Sequence, residues 1–192
     1  MTSLDKPKKK KTVSQHLWSM HWWMAFIYIP VFAIGKYMTD VDNSVSYKGS
    51  LYDFHKSLGI FTMILLTGRI FLLLRKLQQH KPPARRPLSK FERFRTVALH
   101  SLLYVFMFIV PLSGWISSNL YKSNNVRLFF IPLPDIVQSS KELLEVGESV
   151  HFWLSYTFLA FVILHAIDQW KFLKATGRRF FKFMLKKIAV SG

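Results

Sequence analysis

Four long apolar segments constrain the fold of this chain more than any other feature of its sequence. They cover roughly residues 17–38, 51–74, 97–120 and 149–170. Each is about 20 residues long, and a helix of that length crosses the roughly 30 Å hydrocarbon core of a membrane. We therefore predict an all-α fold, a four-helix transmembrane bundle, that forms one domain over residues 1–192.

The distribution of charge predicts how this bundle is oriented. The chain holds 27 Lys and Arg against 10 Asp and Glu, a formal net charge of +17. Most basic residues lie in the N-terminal tail 1–14, in the segment 75–95 and in the tail from Lys171 onward, whereas the connections 39–50 and 121–148 hold most of the acids. With four crossings, the positive-inside rule places both termini in the cytoplasm.

The same pattern argues against other classes of protein. Basic residues at the ends of apolar spans do not form the basic face of a nucleic-acid-binding domain. The absence of cysteine excludes disulfides, iron–sulfur clusters and covalent haem attachment. Because the first apolar segment is long and contains Pro30, we interpret it as a retained span and not a cleaved signal peptide. The C-terminal tail 175–192 alternates basic and aromatic residues, which is typical of an interfacial segment on anionic lipid.

Local signals predict the helix boundaries. A first helix should begin near Ser14 and be kinked at Pro30, because proline removes a backbone hydrogen bond. The prolines of "KPPARRP" predict an extended connector after the second helix. The segment "FFIPLPD" is expected on the membrane surface. The remaining helices are expected at about Leu51–Arg75, at 96–118 with Pro111 and Gly114 inside, and at Glu145–Lys174.

Two histidines, His151 and His165, interrupt the last apolar segment. An ionisable side chain at membrane depth is costly and by default indicates a functional site. Fourteen helical residues return to within about 40° of the same face after a rise of about 21 Å. His151 therefore lies toward the acidic, outer end of the bundle and His165 toward the inner end. This spacing predicts two stacked cofactor sites, one in each half of the membrane.

Each site needs a second histidine at the same depth. His55 lies near the outer start of the second helix, and His21 lies near the inner start of the first. Two neutral imidazoles on opposite sides of a haem iron would use this arrangement, and six-coordinate iron favours electron transfer over oxygen activation. His100 is an alternative to His21 as the inner ligand, or a hydrogen-bonding partner of a propionate or quinone. His16 and His80 are expected to be non-ligands.

Arg69 follows His55 by 14 residues, so it shares a helix face with His55 at the inner depth. A haem propionate is one possible partner for its guanidinium, and extension toward the inner surface is the other. Gly59 and Gly68 would let a flat macrocycle approach the helix, although helix packing alone would also explain them. Each histidine, likewise, has the alternative role of a hydrogen-bonding group between helices.

An ordered set of motifs resembles the prokaryotic-type cytochrome b561 family of small di-haem membrane proteins. The set extends from about His21 to Phe172 and consists of "HWW", "FHKSLGI", "TGRIFLLLR", "LHSLLYVFMFIVPLSGW" and "VHFWLSYTFLAFVILH". The resemblance implies a multi-pass protein of the bacterial inner membrane that holds two non-covalent b-type haems. The implied iron ligands are His21, His55, His151 and His165.

The resemblance also implies electron exchange between a quinone and a second donor or acceptor. One resembling family member oxidises superoxide and passes the electron to ubiquinone, which would require a cationic outer pocket. Lys56 is the first candidate for that pocket, followed by Lys48, Lys122 and Arg127.

The chain departs from the family at one place. Many members carry histidines about two turns after the last ligand, where this chain has Phe172 and Leu173. His100 or Asp168 would then serve the quinone in their place, although Asp168 could instead cap its helix or pair with Lys171.

Two other functions are compatible with the sequence. The alternative from a different class is a haem-b membrane-anchor subunit of a partner dehydrogenase or hydrogenase. A haem-free bundle that acts as a transporter or scaffold is the third. If the chain is catalytic on its own, we expect a superoxide:quinone oxidoreductase activity. Membrane lipids, a quinone and either superoxide or a periplasmic redox protein are the expected partners, with no nucleic acid.

Overall fold

The structure is a computed structural model that describes residues 12–78 and 89–191. The basic run at residues 1–11, the "KPPARRP" connector and His80 lie outside the described residues, so the predictions made for them are not addressed further. Within the described part, the chain forms five helices and one two-stranded hairpin. The elements are α1 (Val13–Asp40), α2 (Lys48–Gln78), α3 (Lys90–Tyr121), β1 (Arg127–Leu128), β2 (Ile131–Pro132), α4 (Lys141–Asp168) and α5 (Trp170–Ser191).

Helices α1 to α4 are each long and apolar enough to cross a membrane. Their lengths of 28 to 32 residues exceed the roughly 20 needed for the hydrocarbon core, so each helix has additional turns at its ends. Few of their side chains are buried within the protein, and large apolar side chains such as Ile29, Phe108 and Ile163 are about half exposed or more. Such a surface is suited to lipid contact. The prediction of an all-α four-helix membrane bundle is confirmed, with the short hairpin as an addition.

Capping residues explain why α1 and α3 begin where they do. Thr12 Oγ1 accepts from the Gln15 amide at 3.4 Å, and Gln15 Oε1 accepts from the Thr12 amide at 2.9 Å. The same reciprocal pair joins Ser89 and Glu92 at the start of α3. These capping boxes satisfy amide groups that have no partner inside the helix. Helix α3 therefore begins at Lys90, six residues before the predicted start.

The prediction that the last span continues to Lys174 is wrong. Helix α4 ends at Asp168, and a new helix, α5, begins at Trp170 after a break at Gln169. The amide of Gln169 still donates to the carbonyl of His165 at 3.0 Å, which closes the last turn of α4. The tail that we expected at the membrane interface is thus a separate helix. Its interfacial location remains a prediction.

Consecutive helices are neighbours in the bundle, so α1 packs on α2, α2 on α3 and α3 on α4. In the part of the chain that the structure describes, no Cα atom of α4 lies within 8 Å of a Cα atom of α1 or α2. The backbone of α4 is therefore separated from those of α1 and α2 by a gap that only side chains enter. We call the end of the bundle with residues 41–47 and 122–140 the outer end, and the opposite end the inner end.

The longer outer connection is folded onto the bundle. Strands β1 and β2 pair antiparallel, and Ser57 of α2 holds them by donating to the Arg127 carbonyl and accepting from the Phe129 amide, both at 3.0 Å. Asn119, fully buried, donates to Asp135 at 2.7 Å and accepts from the Ile136 amide at 3.0 Å. These bonds fix the connection as a cover over the outer end of α2 and α3.

Candidate functional site: two histidine pairs across an interhelical gap

An outer pair of histidines faces across the gap between α2 and α4. The ring centroids of His55 and His151 lie 6.3 Å apart, with the ring planes at 78°. Nδ1 of His55 is 3.0 Å from the Val31 carbonyl, and Nδ1 of His151 is 3.1 Å from the Val110 carbonyl. Because a carbonyl only accepts, each Nδ1 carries the proton and each Nε2 keeps a free lone pair. Such backbone bonds orient imidazoles that bind a metal through the other nitrogen.

A second pair occupies the inner end, between α1 and α4. The ring centroids of His21 and His165 lie 6.2 Å apart, again with planes at 78°. His21 stacks on Trp18. Nδ1 of His165 is buried and has no hydrogen-bond partner among the described residues. The inner pair thus repeats the separation and ring angle of the outer pair.

His100 also lies at the inner end, but its separation from His165 is shorter. Their ring centroids are 5.0 Å apart, and Nδ1 of His100 is 2.7 Å from the Thr96 carbonyl. Imidazole–metal bonds of about 2 Å on opposite sides of one ion leave ring centroids roughly 6 to 6.5 Å apart. The separations of both other pairs match this spacing, and that of His100 and His165 does not.

Two glycines leave room for the outer histidine rings. A Cβ atom on Gly35 would lie 2.9 Å from Cε1 of His55, and one on Gly114 would lie 2.9 Å from Cε1 of His151. The glycines predicted for close approach differ from these. A Cβ on Gly59 would meet only Pro111 at 3.9 Å, and one on Gly68 would meet the Met20 side chain at 3.1 Å.

The sequence does hold a signal for these glycines, in the same 14-residue spacing that relates the histidines. Gly35 follows His21 by 14 residues, and Gly114 follows His100 by 14. The spacing that relates His151 to His165 thus recurs in α1 and α3 with glycine at the outer position. Each glycine therefore lies at the depth of the outer pair, where a neighbouring helix inserts its histidine.

Arg69 lies at the inner end and has partners within the protein. Its Nε donates to the Tyr104 hydroxyl at 2.8 Å, and its Nη1 donates to the Leu17 carbonyl at 2.9 Å. These bonds connect α1, α2 and α3 at the depth of the inner pair. The half-buried guanidinium can still donate further hydrogen bonds, so its role toward a propionate remains a prediction.

Lys56 borders a small outer cavity that both outer histidines also line. Its ammonium donates to the Asn125 carbonyl at 2.7 Å and lies 2.9 Å from the Asp53 carboxylate. The side chain is only 13% exposed, so it belongs to the cavity wall and not to an open basic surface. Of the other basic residues considered for this pocket, Lys48 bonds to the Val41 carbonyl, and Lys122 and Arg127 are exposed.

Asp168 pairs across the inner end in a way that the sequence did not indicate. Its carboxylate lies 2.7 Å from Nη2 of Arg95 in α3, whereas the sequence suggested Lys171 as its partner. Phe172, which occupies a position where family members often carry histidine, packs edge-on against Trp18 at 5.3 Å. Both contacts hold the inner end of α4 and the start of α5 against neighbouring helices.

An apolar layer separates the two pairs. Thr62 lies midway between His55 and Arg69 in sequence, and Phe158 lies midway between His151 and His165. Both are 1% exposed. The Phe158 ring meets Tyr28 edge-on at 5.2 Å and stacks on Phe106 at 6.1 Å. Aromatic side chains from three helices therefore fill the middle of the gap that the histidines border at either end.

Comparison with known proteins assigns this arrangement to a family. Residues 16–168 match the model of the family described as prokaryotic cytochrome b561. The chain belongs to that family. It is also 22% identical over 166 residues to cytochrome b561 homolog 2 of Escherichia coli (strain K12), a match that covers 86% of this chain and 85% of the relative. As a member of the prokaryotic cytochrome b561 family, the chain is a bacterial membrane protein that binds b-type haem and transfers electrons.

Three observations indicate that the residues of the histidine pairs fit a b-type haem. Both histidine pairs have the centroid spacing of two imidazoles that share one metal. The backbones that bear each pair are more than 8 Å apart at every Cα described, which leaves room for a flat group. The buried Nδ1 of His165 has no partner in the described polypeptide. The cytochrome b561 chain therefore offers two places with the chemistry that haem b requires.

Proposed function

We propose that this protein passes single electrons across the membrane between two b-type haems. His55 and His151 would hold the outer haem, and His21 and His165 the inner haem. The observation that carries the proposal is the repeated centroid spacing of 6.3 and 6.2 Å at two depths of one gap. The bound haem supplies one-electron redox chemistry, whose potential the axial ligands and the polarity of the site adjust.

The polypeptide contributes orientation and exclusion of water. The Val31 and Val110 carbonyls hold the two outer rings through Nδ1, which leaves Nε2 of each available to bind iron. If both imidazoles of a pair bound the iron, the site would favour electron transfer over oxygen binding. The aromatic side chains around Phe158 fill space between the two sites, which would exclude water from it.

At the inner end, we propose that a quinone exchanges electrons and protons beside His165. His100 lies against the His165 ring, and its Nδ1 donates to the Thr96 carbonyl. Its Nε2 then carries a lone pair, so it would first take up a proton from the inner aqueous side and then pass that proton to the reduced quinone. The Arg95–Asp168 pair lies on the same side and supplies a second polar group.

At the outer end, we propose that superoxide is the electron donor. Two superoxide anions would each lose one electron and become dioxygen, and the two electrons with two protons would convert one quinone to quinol. Lys56 supports this proposal because its ammonium lines the cavity that contains both outer histidines. A cation there raises the local concentration of a small anion. Its pairing with Asp53 weakens that attraction.

The first experiment measures haem in the purified chain. A pyridine haemochrome assay should give two b-type haems per chain, and His151→Ala and His165→Ala should each remove one. His21→Ala should remove the inner haem, whereas His100→Ala should retain it. His16→Ala is the control, because His16 is exposed on the first turn of α1. Absence of haem from the wild-type chain would contradict the proposal.

The second experiment separates an independent oxidoreductase from a subunit that anchors a partner dehydrogenase. The purified chain in lipid vesicles with ubiquinone is mixed with superoxide in a stopped-flow instrument. We expect quinol to form without any other protein, and Lys56→Ala to slow it. Quinone reduction that occurs only when a partner dehydrogenase is added would support the anchor subunit instead. An unchanged rate in Lys56→Ala would remove Lys56 from the donor site.

A further inference from the structure

Trp115, which lines the outer cavity, carries a buried polar atom that the proposed electron path does not use. The residue lines the cavity together with His55, Lys56 and His151. Its indole Nε1 is buried and has no hydrogen-bond partner among the described residues. An indole N–H can only donate, and a buried donor without an acceptor is unfavourable enough to be rare in native proteins. The described polypeptide therefore provides no acceptor for this N–H, and a bound group would have to supply one.

The charge of the cavity indicates what kind of acceptor is missing. The neighbouring polar groups that line it are Lys56 and the two histidines. The Lys56 ammonium donates to Asn125 and pairs with the exposed Asp53, so an incoming anion would replace one of these contacts, and the Nδ1 atoms of the histidines are engaged with carbonyls. The remaining lining is largely apolar, with Ile60 and Val126 among it. Donors in a cavity of low polarity favour a negatively charged oxygen, since hydrogen bonds to ionised groups are the strong ones.

We propose that the Trp115 N–H and the Lys56 ammonium together bind an anionic oxygen in the outer cavity. Two sources have this chemistry, a propionate of the outer haem and a small anionic substrate such as superoxide. The inference rests on the proposed function, because it places that oxygen beside the outer histidine pair. It assigns Trp115 a role in binding this oxygen that is separate from the role of the iron ligands.

The test replaces the indole with a ring that has no donor. In Trp115→Phe, a propionate that has lost its hydrogen bond presents more negative charge to the iron and stabilises the oxidised form. We expect the midpoint potential of the outer haem to fall, by about 59 mV for a tenfold change in the one-electron equilibrium, while that of the inner haem stays constant. Trp153→Phe is the matched control, because Trp153 lies on α4 near His151 but is 66% exposed.

The outcomes distinguish a haem propionate from a small anionic substrate, and both from the absence of any anionic oxygen at Trp115. A lower outer potential with an unchanged rate constant for superoxide identifies the propionate. A smaller rate constant with an unchanged potential identifies the small anion. No change in either quantity overturns the proposal. The wild-type chain is titrated first, so failure of the proposed function appears as missing haem before any Trp115 variant is compared.

A second variant covers the case in which Trp115→Phe does not retain the outer haem. Trp115→Tyr keeps an aromatic ring and supplies a hydroxyl donor. Retention of the outer haem by the tyrosine variant, with a potential closer to that of the wild type, supports the role of the donor. Loss of the outer haem from both variants, with the inner haem retained, overturns it in favour of a purely steric role for the indole.

Discussion

At the scale of single residues, the outer site depends on two glycines, Gly35 and Gly114, whose lack of a side chain leaves room for the histidine rings. Gly114 faces His151 so closely that an added Cβ would lie 2.9 Å from ring atom Cε1. In an unconstrained helix, Gly→Ala stabilises by about 1 kcal/mol. Any loss caused by alanine here therefore reports the contact with the histidine ring and not the conformational preference of the backbone.

Gly114→Ala should displace the His151 ring and lower the haem content from two per chain to one. The pyridine haemochrome assay measures this content, and circular dichroism checks that the helices persist. Gly49→Ala is the control, because a Cβ atom there would meet nothing within 4 Å. Two haems and an unaltered spectrum in Gly114→Ala would show that the ring moves aside without cost.

Residue spacing explains how much of the site could be predicted. Spacing along one helix is fixed by 3.6 residues per turn, so the depths of His55, His151 and His165 followed from the sequence. The same rule, applied from His21 and His100, would have found Gly35 and Gly114. The hydrogen bonds of His55 and His151 to backbone carbonyls could not be predicted, because they depend on how each helix is rotated against its neighbour.

At the scale of whole elements, sequence patterns located the helices better than their ends. The hydropathy of the spans identified α1 to α4, but the start of α3 was missed because its first turn is charged. The Ser89-x-x-Glu92 pattern there is a capping box that the sequence does contain. The break at Gln169 has no such signal, since no glycine or proline marks it.

Tertiary contacts at the inner end hold α4 at that break. Arg95 of α3 reaches the Asp168 carboxylate at 2.7 Å, with side-chain exposures of 55% and 16%. Because the arginine is half exposed, the pair is screened by solvent and should contribute less than about 1 kcal/mol. Arg95→Gln should therefore lower the melting temperature in detergent slightly, and Lys171→Gln should leave it unchanged. An equal loss in both variants would mean that the general positive charge of the inner end, and not this pair, stabilises α4.

At the scale of the whole molecule, the orientation in the membrane remains a prediction from charge. The absence of cysteine makes it directly testable, because a single introduced cysteine is the only thiol in the chain. Ser46→Cys and Ser139→Cys place the thiol in exposed positions of the two outer connections, and Ala175→Cys places it in α5. In intact cells, a membrane-impermeant maleimide should label the first two variants and spare the third. Labelling of Ala175→Cys alone would show that the orientation is the opposite of the predicted one.

The arrangement of the bundle also separates two histidine pairs by a packed layer of mainly aromatic side chains. The pairs lie about 21 Å apart along α4, and Phe158 fills the midpoint between them with contacts to Tyr28 and Phe106. These side chains fill described space between the two sites, so we expect an electron that crosses the gap to pass through this layer. Electronic coupling falls wherever packed atoms are replaced by empty space, so the layer should influence how quickly the two sites equilibrate.

Phe158→Leu removes part of the ring while keeping an apolar side chain. We expect both haems to be retained with unchanged potentials, and electron passage from the outer to the inner haem to slow severalfold. Stopped-flow absorbance after mixing with superoxide measures the delay between reduction of the two sites. Phe152→Leu is the control, because that ring is 48% exposed on the same helix. An equal delay in the two variants would mean that the Phe158 ring has no specific part in electron transfer between the sites.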